Sequence, residues 1–266
     1  MQTDVNGVSL RYDVRGDGEP VLFLHGFPFS GALWEPVLER LGEGVRAIVP
    51  DLRGMGGSAA TAVAEMEDYA ADAAALLELL GETRPVVVVG MSMGGYVALA
   101  FARLYPERVR ALALVDTRAG PDTAEAARGR HETADRVLRE GSGVLADAMA
   151  PKLFAPSAPE ALRARWREVM AATPRVGAAA ALRAMAGRPD SSDTLRDFRR
   201  PVLVVVGEED AVTPPEEARR MAEAAGGAPV EVVPGAGHMT PVEQPEALAA
   251  ALRRWLVALP PPGVVG

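Results

Sequence analysis

The sequence predicts an α/β protein built on a mostly parallel sheet with helices on both faces. Val-rich runs alternate with helical patterns along most of the 266 residues, and this alternation is typical of a parallel sheet. The runs over residues 86–89 and 202–206 are continuously apolar, as strands buried on both faces are. Hydrophobic residues make up 48% of the chain, which is enough to fill a large core.

The predicted elements alternate along the chain. Strands are expected over residues 8–14, 21–25, 46–49, 86–89, 111–115, 202–206 and 230–233. Helices are expected over residues 34–41 and 66–80, near residue 93 onward, and after each of the last two strands. The helix over residues 66–80 is the clearest, because its apolar residues recur at the spacing that faces a core.

One segment interrupts the alternation. Residues 119–189 contain no convincing strand pattern and read as helices separated by Pro and Gly. An insertion between two strands at the carboxyl edge of the sheet would lie over that edge. We therefore predict a core of residues 1–118 and 190–266 with a helical lid of residues 119–189, and a frayed tail over residues 260–266.

Composition excludes several classes of function. Cysteine is absent, so disulfides, thiolate metal sites and a cysteine nucleophile are excluded. A net charge of −8 argues against nucleic acid or an anionic membrane as a partner. No run of about 18 apolar residues and no secretory signal pattern is present, so we expect a cytoplasmic protein.

A Gly-x-Ser-x-Gly pattern centred on Ser92 follows the apolar run 85–89. A serine that ends a buried strand and opens a helix sits in a tight turn that lifts its hydroxyl above the sheet. Neighbouring backbone then passes close to the residues two before and two after it, and Gly90 and Gly94 are small enough. The helix begins near Met93 and directs its free N–H groups at the serine. We predict that Ser92 is a catalytic nucleophile; an ordinary loop is the alternative.

A serine nucleophile needs a base, and the chain offers three histidines. His238 lies in a Gly-rich loop after the last predicted strand, from which its side chain can reach across the sheet edge. We predict His238 as the base. His25, at the end of a predicted strand, is interpreted as a brace for its own loop, and His131 as a surface residue of the lid.

The base in turn needs a carboxylate that orients it. Asp210 is the preferred candidate, because its loop leaves the strand over residues 202–206 at the carboxyl end, where ligands bind in open α/β sheets. Glu208 and Glu209 in the same loop remain alternatives. Asp116, which follows the preceding strand, is a further alternative on topological grounds.

Chemistry on a carbonyl also needs N–H donors for the oxyanion that develops. The first expected donor is the N–H of Met93, directly after the serine. The second should come from residues 25–28, at the carboxyl end of another strand. Pro28 has no N–H, so Phe27 is the expected donor, and Gly26 would allow that backbone to approach closely.

With these pieces in place, the chain resembles the α/β-hydrolase family over nearly its whole length. The matching pieces are residues 25–28, 51–58, 90–94, 207–210 and 237–238, and their order of Ser, Asp, His is that of the family. The resemblance implies the α/β-hydrolase fold with an eight-stranded sheet, a triad of Ser92, Asp210 and His238, and oxyanion donors at Phe27 and Met93. Residues 51–58 carry over only as a structural turn in which Arg53 is paired locally.

Within that family the chain is similar to lid-bearing esterases and lactonases. Met91 and Met93 beside the serine resemble those of 3-oxoadipate enol-lactonases and of cofactor-free haloperoxidases or perhydrolases. Residues 25–28 look instead like the loop of epoxide hydrolases and haloalkane dehalogenases. Those enzymes use an aspartate where Ser92 stands, so their alkyl-enzyme route is disfavoured here.

The sequence thus predicts a serine hydrolase that cleaves carboxylic esters, lactones among them, through an acyl-enzyme on Ser92. Perhydrolysis or C–C bond hydrolysis by the same triad is the first alternative, and a ligand-binding protein of the same fold is the second. No metal or organic cofactor is expected, and a small ester is the expected partner. Five apolar residues are candidates for the substrate pocket: Phe29, Trp34, Met149, Phe154 and Trp166.

Overall fold

Eight strands form one sheet in the computed structural model, which describes residues 1–261. The strands are β1 (Gln2–Val5), β2 (Val8–Arg15), β3 (Glu19–Leu24), β4 (Val45–Pro50), β5 (Val86–Met91), β6 (Val109–Val115), β7 (Val202–Gly207) and β8 (Val230–Val233). Their order in the sheet is β1-β2-β4-β3-β5-β6-β7-β8. The pairs β1–β2 and β2–β4 are antiparallel and the others are parallel, which confirms the predicted mostly parallel sheet.

Helices cover both faces of this sheet. Within residues 1–261 the α-helices are α1 (Glu35–Leu41), α2 (Met66–Leu79), α3 (Met93–Leu104), α4 (Ala124–Glu140), α5 (Gly143–Leu153), α6 (Glu160–Ala172), α7 (Arg175–Gly187), α8 (Ser192–Asp197), α9 (Pro215–Ala224), α10 (Thr240–Glu243) and α11 (Pro245–Ala258), and short 3₁₀ helices span Gly31–Trp34 and Pro106–Arg108. Successive residues of β5 point to opposite faces, so Val86 and Val88 belong to one hydrophobic cluster, and Val87 and Val89 to the other. The Val-rich run of β5 is therefore buried on both sides, as predicted.

β1 was not predicted from the sequence. Its residues Gln2, Thr3 and Asp4 are polar, so no apolar run marks it. Its partner β2 supplies the hydrogen bonds through a hairpin in which Val5 pairs with Val8. The connecting Asn6 and Gly7 both have positive φ (48° and 75°), and Asn-Gly between two strands is a recognised hairpin signal that could have located β1.

Residues 119–189, named here the helical segment, contain α4 to α7 and no strand in the part of the chain that the structure describes. The segment is attached closely to the core. A Cβ on Gly177 at the start of α7 would lie 2.0 Å from the carbonyl oxygen of Gly54, so two backbones meet there without side chains. The two ends of the segment are joined by a buried ion pair between Asp122 and Arg188 (2.8 Å). Its role as a lid and its boundaries stay predictions.

Within residues 1–261, no helix has both the length and the apolar character that crossing a bilayer requires. The tail for which fraying was predicted, residues 260–266, falls for the most part outside the described residues.

Candidate active site

The turn between β5 and α3 holds Ser92 in an unusual backbone conformation. Its φ is +52° and its ψ is −116°, a region that residues with a side chain rarely adopt. The turn is closed by tight backbone contacts. A Cβ on Gly90 would lie 2.3 Å from the carbonyl oxygen of Gly94, and a Cβ on Gly94 would lie 2.1 Å from that of Leu24. The predicted requirement for small residues on both sides of Ser92 therefore follows from the packing.

The structure brings Ser92, His238 and Asp210 together from three distant parts of the chain. Nε2 of His238 lies 2.9 Å from Oγ of Ser92, and Nδ1 of His238 lies 2.8 Å from Oδ2 of Asp210. Ser92 is partly exposed, while His238 and Asp210 are buried. This geometry allows the imidazole to accept a proton from the hydroxyl while its other nitrogen donates to the carboxylate.

Asp210 is held as a charged acceptor by its own loop. Its Oδ1 accepts hydrogen bonds from the N–H groups of Val212 (2.8 Å) and Thr213 (2.9 Å), and its Oδ2 accepts one from the Thr213 hydroxyl (2.7 Å). Burial by itself would raise the pKa of Asp210, but the imidazole of His238 and the Thr213 donors outweigh it, so the pKa lies below its ordinary value.

The other carboxylates considered in the sequence do not contact His238. Asp116, with a φ of +44°, binds the N–H of Gly207 (2.9 Å) and the hydroxyl of Thr240 (3.0 Å). Burial raises the pKa of Asp116 well above its ordinary range, and the charge of Asp210 raises it further. Glu208 and Glu209 are exposed.

The backbone of residues 26–27 lies beside Ser92. A Cβ on Gly26 would lie 3.3 Å from Cβ of Ser92 and 2.5 Å from Sδ of Met91. The turn is closed by a hydrogen bond from the Phe29 N–H to the Gly26 carbonyl (3.0 Å). Phe27 and Met93 are buried, and within residues 1–261 their N–H groups donate to no backbone carbonyl. These are the two N–H groups that the sequence predicts as oxyanion donors, and that role stays a prediction.

The turn at residues 26–29 is supported by hydrogen bonds that involve His25 and residues 51–58. Nε2 of His25 accepts the N–H of Leu52 (2.9 Å), and Nδ1 therefore donates to the carbonyl of Gly26 (2.9 Å). Burial lowers the pKa of His25, so the ring is neutral as this arrangement requires. Arg53 is paired, as expected, but its partner is Asp72 on α2 rather than a residue of its own loop, with both contacts at 2.6 Å. His131 is exposed on α4.

The five pocket candidates fall into different environments. Phe29 and Trp166 form an edge-to-face ring pair with centroids 5.2 Å apart, which joins the turn after β3 to α6. The Phe154 ring lies 5.8 Å from the guanidinium of Arg163. Met149 on α5 is half-buried. The Trp34 ring is fully buried against Phe23 of β3 (5.3 Å), which favours a packing role for Trp34.

Two residues beside the triad were missed in the sequence. Thr213 lies three positions after Asp210. An Asp whose side chain binds groups two or three residues later in its own loop is a common turn pattern, so this spacing is a signal that could have indicated Thr213. Glu243 on α10 accepts the N–H groups on both sides of His238, from Gly237 (3.0 Å) and Met239 (3.1 Å). No sequence pattern indicates Glu243, because its partners are backbone groups.

Comparison with known proteins agrees with this architecture. The family model described as the alpha/beta hydrolase family matches residues 21–251. A thermophilic esterase from Thermogutta terrifontis is 44% identical, with 96% of each chain covered and a TM-score of 0.92. An enol-lactonase from Burkholderia xenovorans is 26% identical over 97% of this chain and 100% of its own, with a TM-score of 0.90. A bromoperoxidase from Bacillus anthracis is 25% identical over 94% of this chain and 96% of its own, with a TM-score of 0.83.

Proposed function

Because the chain belongs to the alpha/beta hydrolase family and is a hydrolase, we propose that it cleaves carboxylic esters, lactones among them, of small-to-medium apolar substrates through an acyl-enzyme on Ser92. The observation that carries the proposal is the pair of hydrogen-bond contacts from Ser92 Oγ to His238 Nε2 (2.9 Å) and from His238 Nδ1 to Asp210 Oδ2 (2.8 Å). The 44% identical esterase and the enol-lactonase of the same fold support this choice of substrate class.

In the proposed reaction, His238 removes the proton of Ser92 as the serine oxygen attacks the ester carbonyl. Asp210 holds the imidazole in the tautomer that accepts this proton and stabilises the imidazolium that results. The N–H groups of Phe27 and Met93 bind the oxyanion of the tetrahedral intermediate. His238 then protonates the leaving alcohol, and the acyl group remains on Ser92.

The second half of the reaction repeats these roles with water. His238 removes a proton from a water molecule as its oxygen attacks the acyl carbonyl. The tetrahedral intermediate collapses, Ser92 leaves with the proton from His238, and the carboxylic acid is released. Each step uses the same two donors at the oxyanion, so one preformed site serves both halves.

The test is hydrolysis of p-nitrophenyl acetate, butyrate and octanoate, together with a set of simple lactones, by the wild type and a Ser92→Ala variant. We expect Ser92→Ala to reduce kcat by roughly 10⁴-fold or more, because the covalent route is lost. Ser157→Ala, at an exposed turn of the helical segment, is the matched control and should keep wild-type turnover. Undiminished turnover by Ser92→Ala would refute the proposal.

Perhydrolysis is the second candidate function, and the bromoperoxidase of the same fold favours it. An acyl-enzyme attacked by hydrogen peroxide instead of water would release a peracid, with the serine oxygen again the leaving group. Assays with acetate and hydrogen peroxide, and with an ester in the presence and absence of peroxide, compare the two nucleophiles. A rate with peroxide that exceeds ester hydrolysis would favour this second candidate.

A binding protein of this fold would contain the same residues without the activity. A fluorophosphonate probe distinguishes the two cases, because it labels only a serine whose hydroxyl is activated. The proposal expects stoichiometric labelling of Ser92 and no labelling after Ser92→Ala. Absence of labelling in the wild type, together with absence of turnover, would favour the binding protein.

A further inference from the structure

The loop that carries His238 is held through its backbone at four consecutive residues. The N–H groups of Gly237 and Met239 donate to Oε1 of Glu243 (3.0 and 3.1 Å). The N–H of His238 itself donates to the carbonyl of Leu153 (2.8 Å), and that of Thr240 to Asp116 (3.3 Å). The direction of the imidazole therefore depends on acceptors outside the loop.

Glu243 differs from the other acceptors because its carboxylate joins the histidine loop to the helical segment. While Oε1 takes both N–H groups that flank His238, Oε2 accepts the N–H of Ala155 in the helical segment (2.7 Å). One side chain thus joins the histidine loop to the loop after α5. Carboxylate oxygens accept stronger hydrogen bonds from N–H groups than neutral acceptors do.

The two loops that Glu243 joins are also packed against each other without side chains between them. A Cβ on Gly237 would lie 2.5 Å from the nitrogen of Ala155 and 3.0 Å from the carbonyl oxygen of Leu153. Arg163 of α6 donates to the carbonyls of Ala155 and Pro156 in the same loop. The loop after α5 therefore hydrogen-bonds to both Arg163 and Glu243.

Holding a carboxylate at this place is unfavourable in itself. Burial raises the pKa of Glu243, and the N–H groups of Ala155, Met239 and Gly237, together with the charge of Arg163, partly offset that effect. An acidic side chain that served only to cover the surface would not need to be half-buried against three backbone donors. Its contacts instead converge on the residues before and after His238.

From this geometry we propose that Glu243 is a positioning residue: it sets the orientation of His238 toward Ser92 and couples that orientation to the helical segment. The proposal rests on the proposed function, in which His238 is the base. Glu243 does not touch the reacting atoms. It acts through the backbone of residues 237–239.

Two substitutions separate its contacts. Glu243→Met has a similar length and no strong acceptor, so both sides of the bridge are lost. Glu243→Gln can place its carbonyl oxygen where Oε1 lies and keep the N–H groups of Gly237 and Met239, but its amide NH₂ then faces the N–H of Ala155 and that bond is lost. Comparable changes at Glu246, an exposed residue of α11, are the matched controls.

The measurement is kcat and KM for p-nitrophenyl acetate, expressed per site that a fluorophosphonate labels at completion. Normalisation by labelled sites removes the contribution of misfolded protein. We expect Glu243→Met to lower kcat by about 10- to 100-fold with little change in KM, because misalignment of a catalytic group acts on the chemical step. Glu243→Gln should recover most of this loss while melting at a lower temperature than the wild type. The Glu246 variants should match the wild type.

Wild-type kcat per labelled site in Glu243→Met would overturn the proposal, and so would equal losses in Glu243→Gln and Glu243→Met, which would show that the two bonds to the histidine loop are not what matters. Where Glu243→Met fails to fold, Glu243→Asp replaces it, since that change retracts the carboxylate and should lower kcat in the same direction. Ser92→Ala in the same assay keeps the failures apart. Turnover that survives Ser92→Ala refutes the proposed function, whereas wild-type kcat in Glu243→Met alone refutes only the role of Glu243.

Discussion

The loops after β6 and β7 begin at the same edge of the sheet. Each contains a buried aspartate, but the two aspartates bind different partners. β6 and β7 are parallel neighbours, and each is followed by a buried aspartate, Asp116 and Asp210 respectively. Asp210 contacts the imidazole of His238 (2.8 Å), whereas Asp116 binds the backbone of Gly207 and the side chain of Thr240. Position at a strand end makes both residues candidates, but the partner decides what each can do.

The electrostatic states of the two aspartates follow from these partners. Burial opposes the charge of both carboxylates. Asp210 faces an imidazole that can become cationic, and its pKa is lowered overall. Asp116 has only neutral donors and lies near the charge of Asp210, so its pKa is raised. Two aspartates in the loops after neighbouring strands therefore favour opposite protonation states.

The largest expected effect compares the two carboxylates in turnover. Asp210→Asn should lower kcat for p-nitrophenyl acetate by about 10⁴-fold, because the amide can no longer hold the correct tautomer of His238. Asp116→Asn should stay within about 10-fold of the wild type, since its amide oxygen can still accept the bonds from Gly207 and Thr240. Steady-state kinetics on both variants measures these two losses of kcat. A larger loss of kcat in Asp116→Asn than in Asp210→Asn would show that Asp116, and not Asp210, orients His238.

A second expected effect is on the pH dependence of stability, measured by urea unfolding between pH 3 and pH 7. The pKa of Asp116 in the folded protein is raised. Its contribution to the free energy of unfolding is therefore complete below the unfolded pKa of 3.8 and is lost as the pH rises through the folded pKa. Between these two pKa values, the free energy of unfolding falls by up to about 1.4 kcal/mol per pH unit.

The folded pKa of Asp210 is lowered, so its contribution is complete above 3.8 and is lost as the pH falls. Asp116→Asn should therefore remove a loss of stability above pH 3.8, and Asp210→Asn should remove a loss below it. Asp17→Asn, at an exposed position, is the control. The same pH profile in both variants would contradict the comparison.

The smallest expected effects concern the threonine that each aspartate binds. Thr213→Val removes the hydroxyl that donates to Asp210 (2.7 Å) and should lower kcat by about 10-fold, because the carboxylate that orients His238 loses a donor. Thr240→Val removes the hydroxyl that donates to Asp116 (3.0 Å) and should cost about 1 kcal/mol of stability with kcat within about threefold. Steady-state kinetics and urea unfolding on both variants measure the two effects. A loss of kcat in Thr240→Val alone would contradict the different roles given to the two loops.

The parts of the fold that could be predicted are those whose cause is local. The valines of β5 and β7 form strands because they suit a sheet buried on both faces, and the tight turn at Ser92 follows from the glycines on either side of it. β1 escaped prediction because its polar residues become a strand only by pairing with β2. The partner of Arg53 escaped because Asp72 lies on a helix that packs over the loop.

The residues of the candidate site divide in the same way. Ser92, His238 and Asp210 could be proposed because the chemistry demands those residue types at strand ends, and the order along the chain matches a known family. Thr213 was missed although its spacing from Asp210 is a usable signal. Glu243 could not be proposed, since its partners are backbone N–H groups that the sequence does not display. The sequence favoured Asp210, but Asp116 remained an alternative because it also follows a strand.

The sequence by itself determined the alternation of strands and helices, the sharp turn at Ser92 and the set of residues able to do chemistry at the sheet edge, because these depend on side-chain type and on neighbours along the chain. Only the tertiary structure decided which aspartate lies within 2.8 Å of His238, and that Glu243 binds both the histidine loop and the helical segment. Hydrogen bonds form over about 3 Å, and distances of that size between residues far apart in the chain are set by packing.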